Sequence, residues 1–297
     1  MMVLTSLTLL SVASAQVGLG VPAVYTLVDH ELVGPVKQLK ERSYSAEGTV
    51  LSRAEFLKGN AWISRDWVFD QGRLIRSEDW GGRTDGVANH QVTTYAFKNT
   101  CLQGRRVQDL SVYPPGRKHE AEQRDETVTS DVSCRMTESV ESVHGKPALR
   151  KAFAWNGTTV RVTAFRKDNS VAYAWTGNCW STLTTCSETV VEGRLEKRRT
   201  VTRTAAGRLI RVEESSTSDG TLNWQWRSEY NAQGWLTSDS KLDQTNGKWK
   251  LTYVYKYPKV DARGNWLERQ EFTVGYEFGK QVLGLTGLTT RAVMYAK

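Results

Sequence analysis

The four histidines of this chain are the side chains best suited to proton transfer near neutral pH, and they are isolated from one another. They are His30, His90, His119 and His144. Two of them stand beside carboxylates, in Asp-His-Glu at 29–31 and in Lys-His-Glu at 118–120. Adjacent residues of a strand point to opposite faces, so neither triplet forms an acid–base pair. Both triplets are interpreted as solvated surface.

Sequence motifs for other chemistries are missing. The chain has no His-Glu-x-x-His, no Gly-x-Ser-x-Gly, no glycine-rich phosphate loop and no calcium loop of the EF-hand type. Carboxylate pairs that meet only in space, as in glycosidases, leave no motif of this kind. The sequence therefore predicts no catalytic residue, no cofactor and no metal, and leaves a hydrolase with an unrecognised carboxylate site as an alternative.

The four cysteines predict two disulfides. They are Cys101, Cys134, Cys179 and Cys186, and four cysteines allow three pairings. Cys179 and Cys186 flank WSTLTT, a length that suits a hairpin tip, which leaves Cys101 with Cys134. A zinc site is the competing hypothesis, but the chain has no Cys-x-x-Cys and no histidine at ligand spacing from a cysteine.

The N-terminus predicts export. Residues 1–15 contain an uncharged apolar run that ends in Ala13-Ser14-Ala15, a pattern suited to signal-peptidase cleavage before Gln16. No Lys or Arg precedes the run, and a buried N-terminal strand is the alternative. The run is shorter than the ~20 residues of a membrane span, and no later segment is apolar for that length. We expect a secreted, periplasmic or envelope-associated protein.

Composition limits the class of partner. The chain has 297 residues, 11 tryptophans and a formal net charge of +8. A basic chain favours acidic partners, but its basic residues are spread along the sequence with no basic run, which argues against nucleic acid. Solubility alone is the simplest interpretation of the charge, and the sequence does not determine the oligomeric state.

Recurring glycine turns separate segments with strand periodicity. From Gly193 onward, turn glycines fall at 193, 207, 220, 234, 247 and 264, and each gap fits one strand and one turn. In LNWQWRSEY (222–230), positions 222, 224, 226, 228 and 230 share one side. In KWKLTYVYKY (248–257), the odd positions 249 to 257 share one side. Such alternation predicts strands. Regions 104–150 and 276–297 are too irregular to assign.

These turns carry a family resemblance. YNAQGWLTS, YSAEGTVLS and VYKYPKVDARGNWLERQEF resemble the tyrosine–aspartate (YD) repeats of RHS-like exported bacterial proteins. The resemblance covers about half of the chain, at 34–76 and 193–272, and only Asp70 and Asp261 keep the aspartate. It implies antiparallel hairpins added side by side, together with export, and it implies no enzyme or toxin.

The expected fold is all-β: an antiparallel meander of repeated hairpins in one domain, 16–297, with a possible division near 190 into 16–190 and 191–297. Because one apolar face and two edges cannot stay open in water, the sheet should curl into a barrel-like or two-layered form. A lipid-facing barrel is excluded by GRLEKRRTVTRT (193–204), which places charges on both strand faces. The chain is expected to be soluble or peripherally attached to a membrane.

The leading functional hypothesis is a non-catalytic exported repeat protein that binds a cell-envelope or extracellular ligand through aromatic and basic strand faces. That ligand is a glycan, such as a cell-wall or extracellular polysaccharide, or an anionic polymer, and another envelope protein is a further possible partner. A structural or protein-interaction module is the second hypothesis. The candidate ligand-binding residues are Trp224, Trp226, Trp235, Trp249, Trp266, Lys248, Lys250 and Arg227.

Overall fold

Antiparallel β-strands form nearly all of the described chain. The computed structural model describes residues 32–45, 52–54, 62–82, 88–99, 101–111, 122–178, 185–278 and 280–296. The strands are β1 (Val36–Ser45), β2 (Ile63–Asp70), β3 (Arg73–Gly82), β4 (Ala88–Lys98), β5 (Cys101–Asp109), β6 (Gln123–Ser130), β7 (Met136–Val143), β8 (Lys146–Asn156), β9 (Thr159–Arg166), β10 (Val171–Gly177), β11 (Thr185–Glu192), β12 (Leu195–Arg203), β13 (Leu209–Ser218), β14 (Thr221–Tyr230), β15 (Leu236–Asp243), β16 (Lys248–Val260), β17 (Trp266–Glu277) and β18 (Lys280–Tyr295).

The strands form a closed barrel. Each pairs antiparallel with the next one along the chain, as β1 does with β2 and β9 does with β10. The last strand pairs with the first, from Val36↔Tyr295 to Ser45↔Gly287, which completes the ring. The predicted all-β antiparallel meander with a barrel-like curl is therefore confirmed. One sheet contains the strands on both sides of position 190.

The regions that sequence could not assign also form strands. Strands β5 to β8 lie within 101–156, and β18 lies within 280–295. Their inward-facing side chains include ion-paired residues such as Arg105, Glu126 and Lys151. Because charged residues occupy buried positions here, the alternation of hydrophobic and polar residues is hidden.

A five-residue turn recurs along the chain: 131–135, 204–208, 231–235 and 261–265 lie at one end of the barrel, and 166–170 lies at the other. In the second of these, the Thr204 N–H donates to the Arg208 carbonyl at 2.8 Å, and the Gly207 N–H donates to the Thr204 carbonyl at 2.9 Å. The fourth residue has a positive φ: 81° at Gly207, 83° at Gly234, 87° at Gly264 and 62° at Cys134.

The predicted hairpin glycines are confirmed at both ends of the barrel. Gly207 and Gly234 belong to the recurring turn, while Gly220 and Gly247 lie in turns at the opposite end with φ of 81° and 68°. The strands predicted at 222–230 and 249–257 are also confirmed.

Apolar side chains cluster at the end that carries four of the five recurring turns, here called the closed end. One cluster contains Leu102, Val128, Met136, Phe153, Val160, Val162, Trp175 and Val190. A second contains Leu32, Val36, Leu39, Trp67, Phe69 and Leu74, and Tyr95 packs against both. At the opposite end, here called the mouth, inner-face residues such as Gln91, Arg166 and Lys241 are exposed. The barrel interior is therefore apolar at one end and polar at the other.

Buried ion pairs line the inner face between the two ends. Arg291 Nε lies 3.0 Å from Glu41 Oε2, and Arg65 lies 3.6 Å from Glu41 and 3.3 Å from Asp79. Burial alone would raise the pKa of Glu41, but the nearby Arg291, Arg65 and Arg269 outweigh it and hold the pKa below its ordinary value. Breaking such a pair leaves a buried charge without its partner, which typically costs about 3–5 kcal/mol.

The outer face is polar over much of the ring. Ion pairs join neighbouring strands there, including Arg106 with Asp125 at 2.6 Å and Arg211 with Glu229 at 2.8 Å. On β12, Glu196 and Arg198 lie on the face opposite to the buried Arg199. The described residues contain no helix with the length and apolar character needed to cross a membrane.

The disulfide between Cys101 and Cys134 is confirmed. It joins the start of β5 to the recurring turn before β7, where Cys134 occupies the position that glycine takes in the other three turns at this end. Cys186 is also disulfide-bonded, and no described cysteine is free. Cys179, the predicted signal peptide 1–15, His30 and His119 lie outside the described residues.

Asn265 ties the last hairpin turn to both ends of the described chain. It is fully buried, and its side chain accepts a bond from the Val33 N–H at 2.6 Å and donates to the Val33 carbonyl at 2.9 Å. The same amide donates to the Tyr295 hydroxyl at 2.5 Å, and Tyr295 donates to Asp261. Asn265 therefore fixes the chain that enters β1 against the strand that closes the ring.

Replacing Gly207 with alanine should lower the free energy of unfolding by about 1–2 kcal/mol, because left-handed backbone strains a residue with a Cβ. A Cβ there meets nothing within 4 Å, so the loss would come from the backbone alone. Ala206→Ser in the same turn is the control and should change stability by less than about 0.5 kcal/mol. Chemical denaturation measures both, and an unchanged Gly207→Ala variant would contradict the turn geometry.

Replacing Asn265 with alanine should cost about 2–4 kcal/mol, because the buried Val33 and Tyr295 groups lose their hydrogen bonds. Asn246→Ala is the control, since its bonds to Asp243 and Lys248 are local to an exposed turn at the mouth. We expect less than about 1 kcal/mol there. Equal losses in the two variants would show that Asn265 has no special role in closure.

Candidate functional site

The inner faces of β14 to β17 combine aromatic, acidic and basic side chains towards the mouth. Directly paired residues of antiparallel strands share a face, so the register identifies the members. Trp226 pairs with Lys241, Asp239 pairs with Tyr253, and Tyr255 pairs with Glu271. We call this set, together with Trp224, the inner wall.

Two aromatic rings lie nearly parallel on the inner wall. The ring centroids of Trp226 and Tyr253 are 6.4 Å apart with an interplanar angle of 19°. Lys241 Nζ lies 5.9 Å from the centroid of the Trp226 ring. Trp224, Trp226 and Tyr253 are all half-buried. Their rings are thus held by the sheet and still partly open to the interior.

Asp239 is held by two hydroxyl donors. Ser228 Oγ donates to one carboxylate oxygen, and the Tyr255 hydroxyl donates to the other at 2.7 Å. Burial raises the pKa of Asp239 above its ordinary value, although both hydrogen bonds and Arg269 oppose that rise. Burial, followed by the charges of Asp239 and Glu271, raises the pKa of Tyr255 and keeps its hydroxyl protonated as the donor.

Glu271 supplies a second inner-face carboxyl. Burial raises its pKa, Arg269 lowers it and the charge of Asp239 raises it further. Its partner on β18 is Gly287. A Cβ at Gly287 would lie only 3.2 Å from the Glu271 Cβ, so glycine at this position leaves room for the glutamate side chain.

The odd positions 249 to 257 of β16, which alternation predicts to share one side, are divided between the two faces of the sheet. Asp239 pairs with Tyr253 but Ser240 pairs with Leu251, so Thr252 forms a bulge. A bulge of one residue reverses the side-chain alternation. Tyr253 therefore lies on the inner face while Trp249 lies on the outer face, and the expectation of one shared side for the odd positions 249 to 257 is wrong.

The basic candidate residues also divide between the two faces. Arg227 Cζ lies 4.0 Å from the Trp249 ring centroid, and Arg227 Nε pairs with Glu213 at 2.7 Å, on the outer face. Lys250 pairs in register with Lys241 on the inner face, and Lys248 lies two residues before it on the same strand. Both lysines are exposed and lie close to the mouth.

Trp235 and Trp266 lie at the closed end, far from the inner wall. They are 9% and 0% exposed, and their ring centroids lie 5.0 Å and 5.6 Å from that of Tyr257. Arg291 Cζ stacks at 3.4 Å from the Trp266 ring centroid. Neither ring is exposed for a ligand to stack on, and both contribute to packing.

Sequence reasoning missed Lys241, Asp239 and Glu271. Alternation on β15 places Asp239 and Lys241 on one face of TSDSK, which is a usable signal. The partnership with Glu271 depends on the pairing of three strands, and no local pattern encodes it. The described residues hold no cluster of three or more side chains that could bind a metal ion.

His90 lies on β4, away from the inner wall, and makes a contact on the outer face of the barrel. Its Nε2 lies 2.9 Å from Glu78 Oε1, and its ring stacks on Trp80 with centroids 5.1 Å apart. Glu78 also pairs with Arg76. The carboxylate partner comes from the neighbouring strand, and the pair lies on the outer face.

No family model matches the sequence, and no curated protein matches it. Eleven chains of solved structures do match. One is a porin-like protein from Bacteroides uniformis, with 10% sequence identity, 89% of this chain and 99% of that chain covered, and a TM-score of 0.45. Nothing about the function or location of this chain follows from a similarity at that level.

Replacing Asp239 with asparagine should change the pH dependence of stability. The folded-state pKa of Asp239 is raised, so its contribution is complete below the ordinary carboxyl pKa and is lost as the pH rises through the raised value. Wild type should therefore lose stability relative to Asp239→Asn as the pH rises from about 4, the ordinary carboxyl pKa, towards neutral. Urea denaturation across that range measures the difference, and a constant or growing advantage of wild type would contradict burial of this carboxyl.

Proposed function

We propose that this chain is a non-catalytic, exported protein that binds a glycan on the inner wall of its barrel. The observation that carries the proposal is the Trp226–Tyr253 pair, two nearly parallel and half-buried rings that face the interior. Exposed lysines at the mouth, Lys241, Lys248 and Lys250, lie beside them.

The chemistry of the wall suits a saccharide. Aromatic faces supply flat apolar contact at low entropic cost, and sugar rings present C–H groups to such faces. Binding sites of this kind add a small number of fixed polar groups that set orientation. Lys241 and Glu271 supply a donor and an acceptor at fixed positions on the same wall.

A binding role fits the wall better than hydrolysis. Glycoside hydrolysis requires two carboxyl groups that face one scissile bond. Both oxygens of Asp239 already accept hydrogen bonds from Ser228 and Tyr255. Asp239 is therefore engaged in fixing the side chains around it.

Two observations support export. The Cys101–Cys134 disulfide and the oxidised state of Cys186 suit an oxidising compartment, and the apolar N-terminal run supplies the predicted signal.

Ion pairs on the outer face of the barrel, such as Arg106 with Asp125, suit contact with water and not with lipid. We place the protein in the cell envelope or outside the cell, and we keep membership of the YD-repeat proteins as part of this proposal.

A structural module is the second candidate. The burial of Trp235 and Trp266 favours it, because both predicted stacking residues stabilise the closed end instead. If the remaining aromatic residues have the same role, the wall binds no ligand. The glycan-binding candidate predicts that the inner tryptophans contribute to ligand binding and the outer ones do not, whereas the structural module predicts no ligand binding by either.

The test compares three variants on a glycan array, followed by calorimetric titration with the glycans that bind. Trp226→Ala and Tyr253→Ala should weaken binding by about tenfold to hundredfold, as expected for aromatic anchors. Trp249→Ala is the matched control, because it removes a similar ring from the outer face.

Thermal denaturation of each variant separates loss of binding from loss of folding. Wild-type protein that binds no glycan, or equal weakening by Trp226→Ala and Trp249→Ala in folded protein, would contradict the proposal. Release of reducing ends from a bound glycan would instead favour the hydrolase.

A further inference from the structure

The tip half of the β17–β18 hairpin is not paired with any other described strand. Among the described residues, β16 pairs with β17 as far as Thr273, and β1 pairs with β18 from Gly287 onward. Within this described part of the chain, the two strands pair only with each other between these limits, from Thr273↔Gly284 to Glu277↔Lys280. We call residues 274–278 and 280–286 the projecting hairpin.

Exposed apolar side chains concentrate on the projecting hairpin. Among the described residues, thirteen large hydrophobic side chains are exposed, and four of them lie within this one segment. They are Tyr276 at 57%, Phe278 at 104%, Val282 at 38% and Leu283 at 38%. Contiguous apolar surface of this kind marks a contact with another molecule or with a membrane.

The apolar residues lie mainly on one side of the hairpin. Val274 pairs with Leu283 and Phe272 pairs with Leu285, which places these four on one face. Tyr276 lies two residues after Val274 and therefore belongs to the same face. This face continues the outer surface of the barrel, where Trp249, Leu251 and Val254 lie on β16. An apolar stripe thus runs from the tip onto the outer surface of β16.

Phe278 at the tip combines an exposed ring with a strained backbone conformation. Its ring is fully exposed, and its backbone has a φ of 50°, a left-handed conformation that bulky residues rarely adopt. Transfer of such a ring into an apolar phase is favourable. Burial of the exposed Phe278 side chain in an apolar phase would therefore lower its free energy.

Basic residues accompany the apolar stripe. Lys280 follows the tip, and Lys256 Nζ lies 4.9 Å from the Phe272 ring centroid near the base of the hairpin. Tyrosine and other aromatic residues flanked by lysine are typical of segments that enter the headgroup region, where lysine contacts anionic lipid. The net charge of +8 adds a general attraction to such a surface.

We propose that the projecting hairpin docks the barrel onto an anionic lipid surface, with Phe278, Tyr276 and Leu283 inserted into the headgroup region and Lys280 at the lipid phosphates. The barrel itself remains in water. This docking is independent of any ligand on the inner wall, because the two surfaces lie on opposite faces of the sheet.

The test is co-sedimentation of the purified chain with vesicles of phosphatidylethanolamine and phosphatidylglycerol, compared with vesicles of phosphatidylcholine alone. Wild type should bind the anionic vesicles, and the double variant Phe278→Asn/Leu283→Ser should bind at least about tenfold more weakly. Asparagine tolerates the positive φ of position 278, so this change should not impair folding.

Val132→Ser is the matched control, because Val132 is as exposed as Phe278 but lies in a turn at the closed end. It should bind as wild type does. Absence of binding by wild type, or equal binding by the double variant, would overturn the proposal. A concentration-dependent dimer that the double variant abolishes, without vesicle binding, would assign the hairpin to a second copy of the chain and overturn it as well.

Discussion

The ladder of hydrogen bonds between β1 and β18 is the constraint on which the rest of this structure depends. It joins residues separated by about 250 positions, from Val36↔Tyr295 to Ser45↔Gly287. Without it, an eighteen-stranded meander would have two open edges, and its apolar clusters and buried ion pairs would be exposed to water. Asn265 stabilises the same closure from within, through its bonds to Val33 and Tyr295. The DARGN turn (261–265) before β17 is thus one copy of the recurring turn. It also contains Asn265, which stabilises the closure between β1 and β18.

Closure gives the barrel an interior whose composition changes from one end to the other. Apolar clusters occupy the closed end, and buried ion pairs such as Arg291 with Glu41 and Arg105 with Glu126 lie along the inner face. The inner wall lies towards the mouth, where lysines are exposed. One bulge at Thr252 decides its composition, because it directs Tyr253 inward and Trp249 outward. The same sheet therefore presents an aromatic surface on each face.

Local chemistry encoded much of the fold. Glycine spacing and alternation predicted the turns at Gly207, Gly220, Gly234 and Gly247 and the strands β14 and β16, because each depends on neighbouring residues only. The cysteine spacing predicted Cys101 with Cys134. Strands β5 to β8 could not be predicted because ion-paired residues occupy their inner positions.

The candidate site was predicted only in part. Trp224 and Trp226 lie on the inner wall, as the hypothesis requires. Trp249 lies on the outer face because of the bulge at Thr252, and Trp235 and Trp266 are buried at the closed end. A bulge and a three-strand register are long-range properties that single-strand periodicity does not contain.

Hydrogen exchange at the backbone amides of β1 and β18 tests barrel closure most directly. In an antiparallel strand, alternate amides point to opposite neighbours. A closed ring protects both alternate sets in β1 and in β18, to a degree similar to central strands such as β7 and β8. We predict that result. If one alternate set in β1 or in β18 exchanges at the rate of the exposed turns while β7 and β8 remain protected, the sheet is open and closure of the barrel is contradicted.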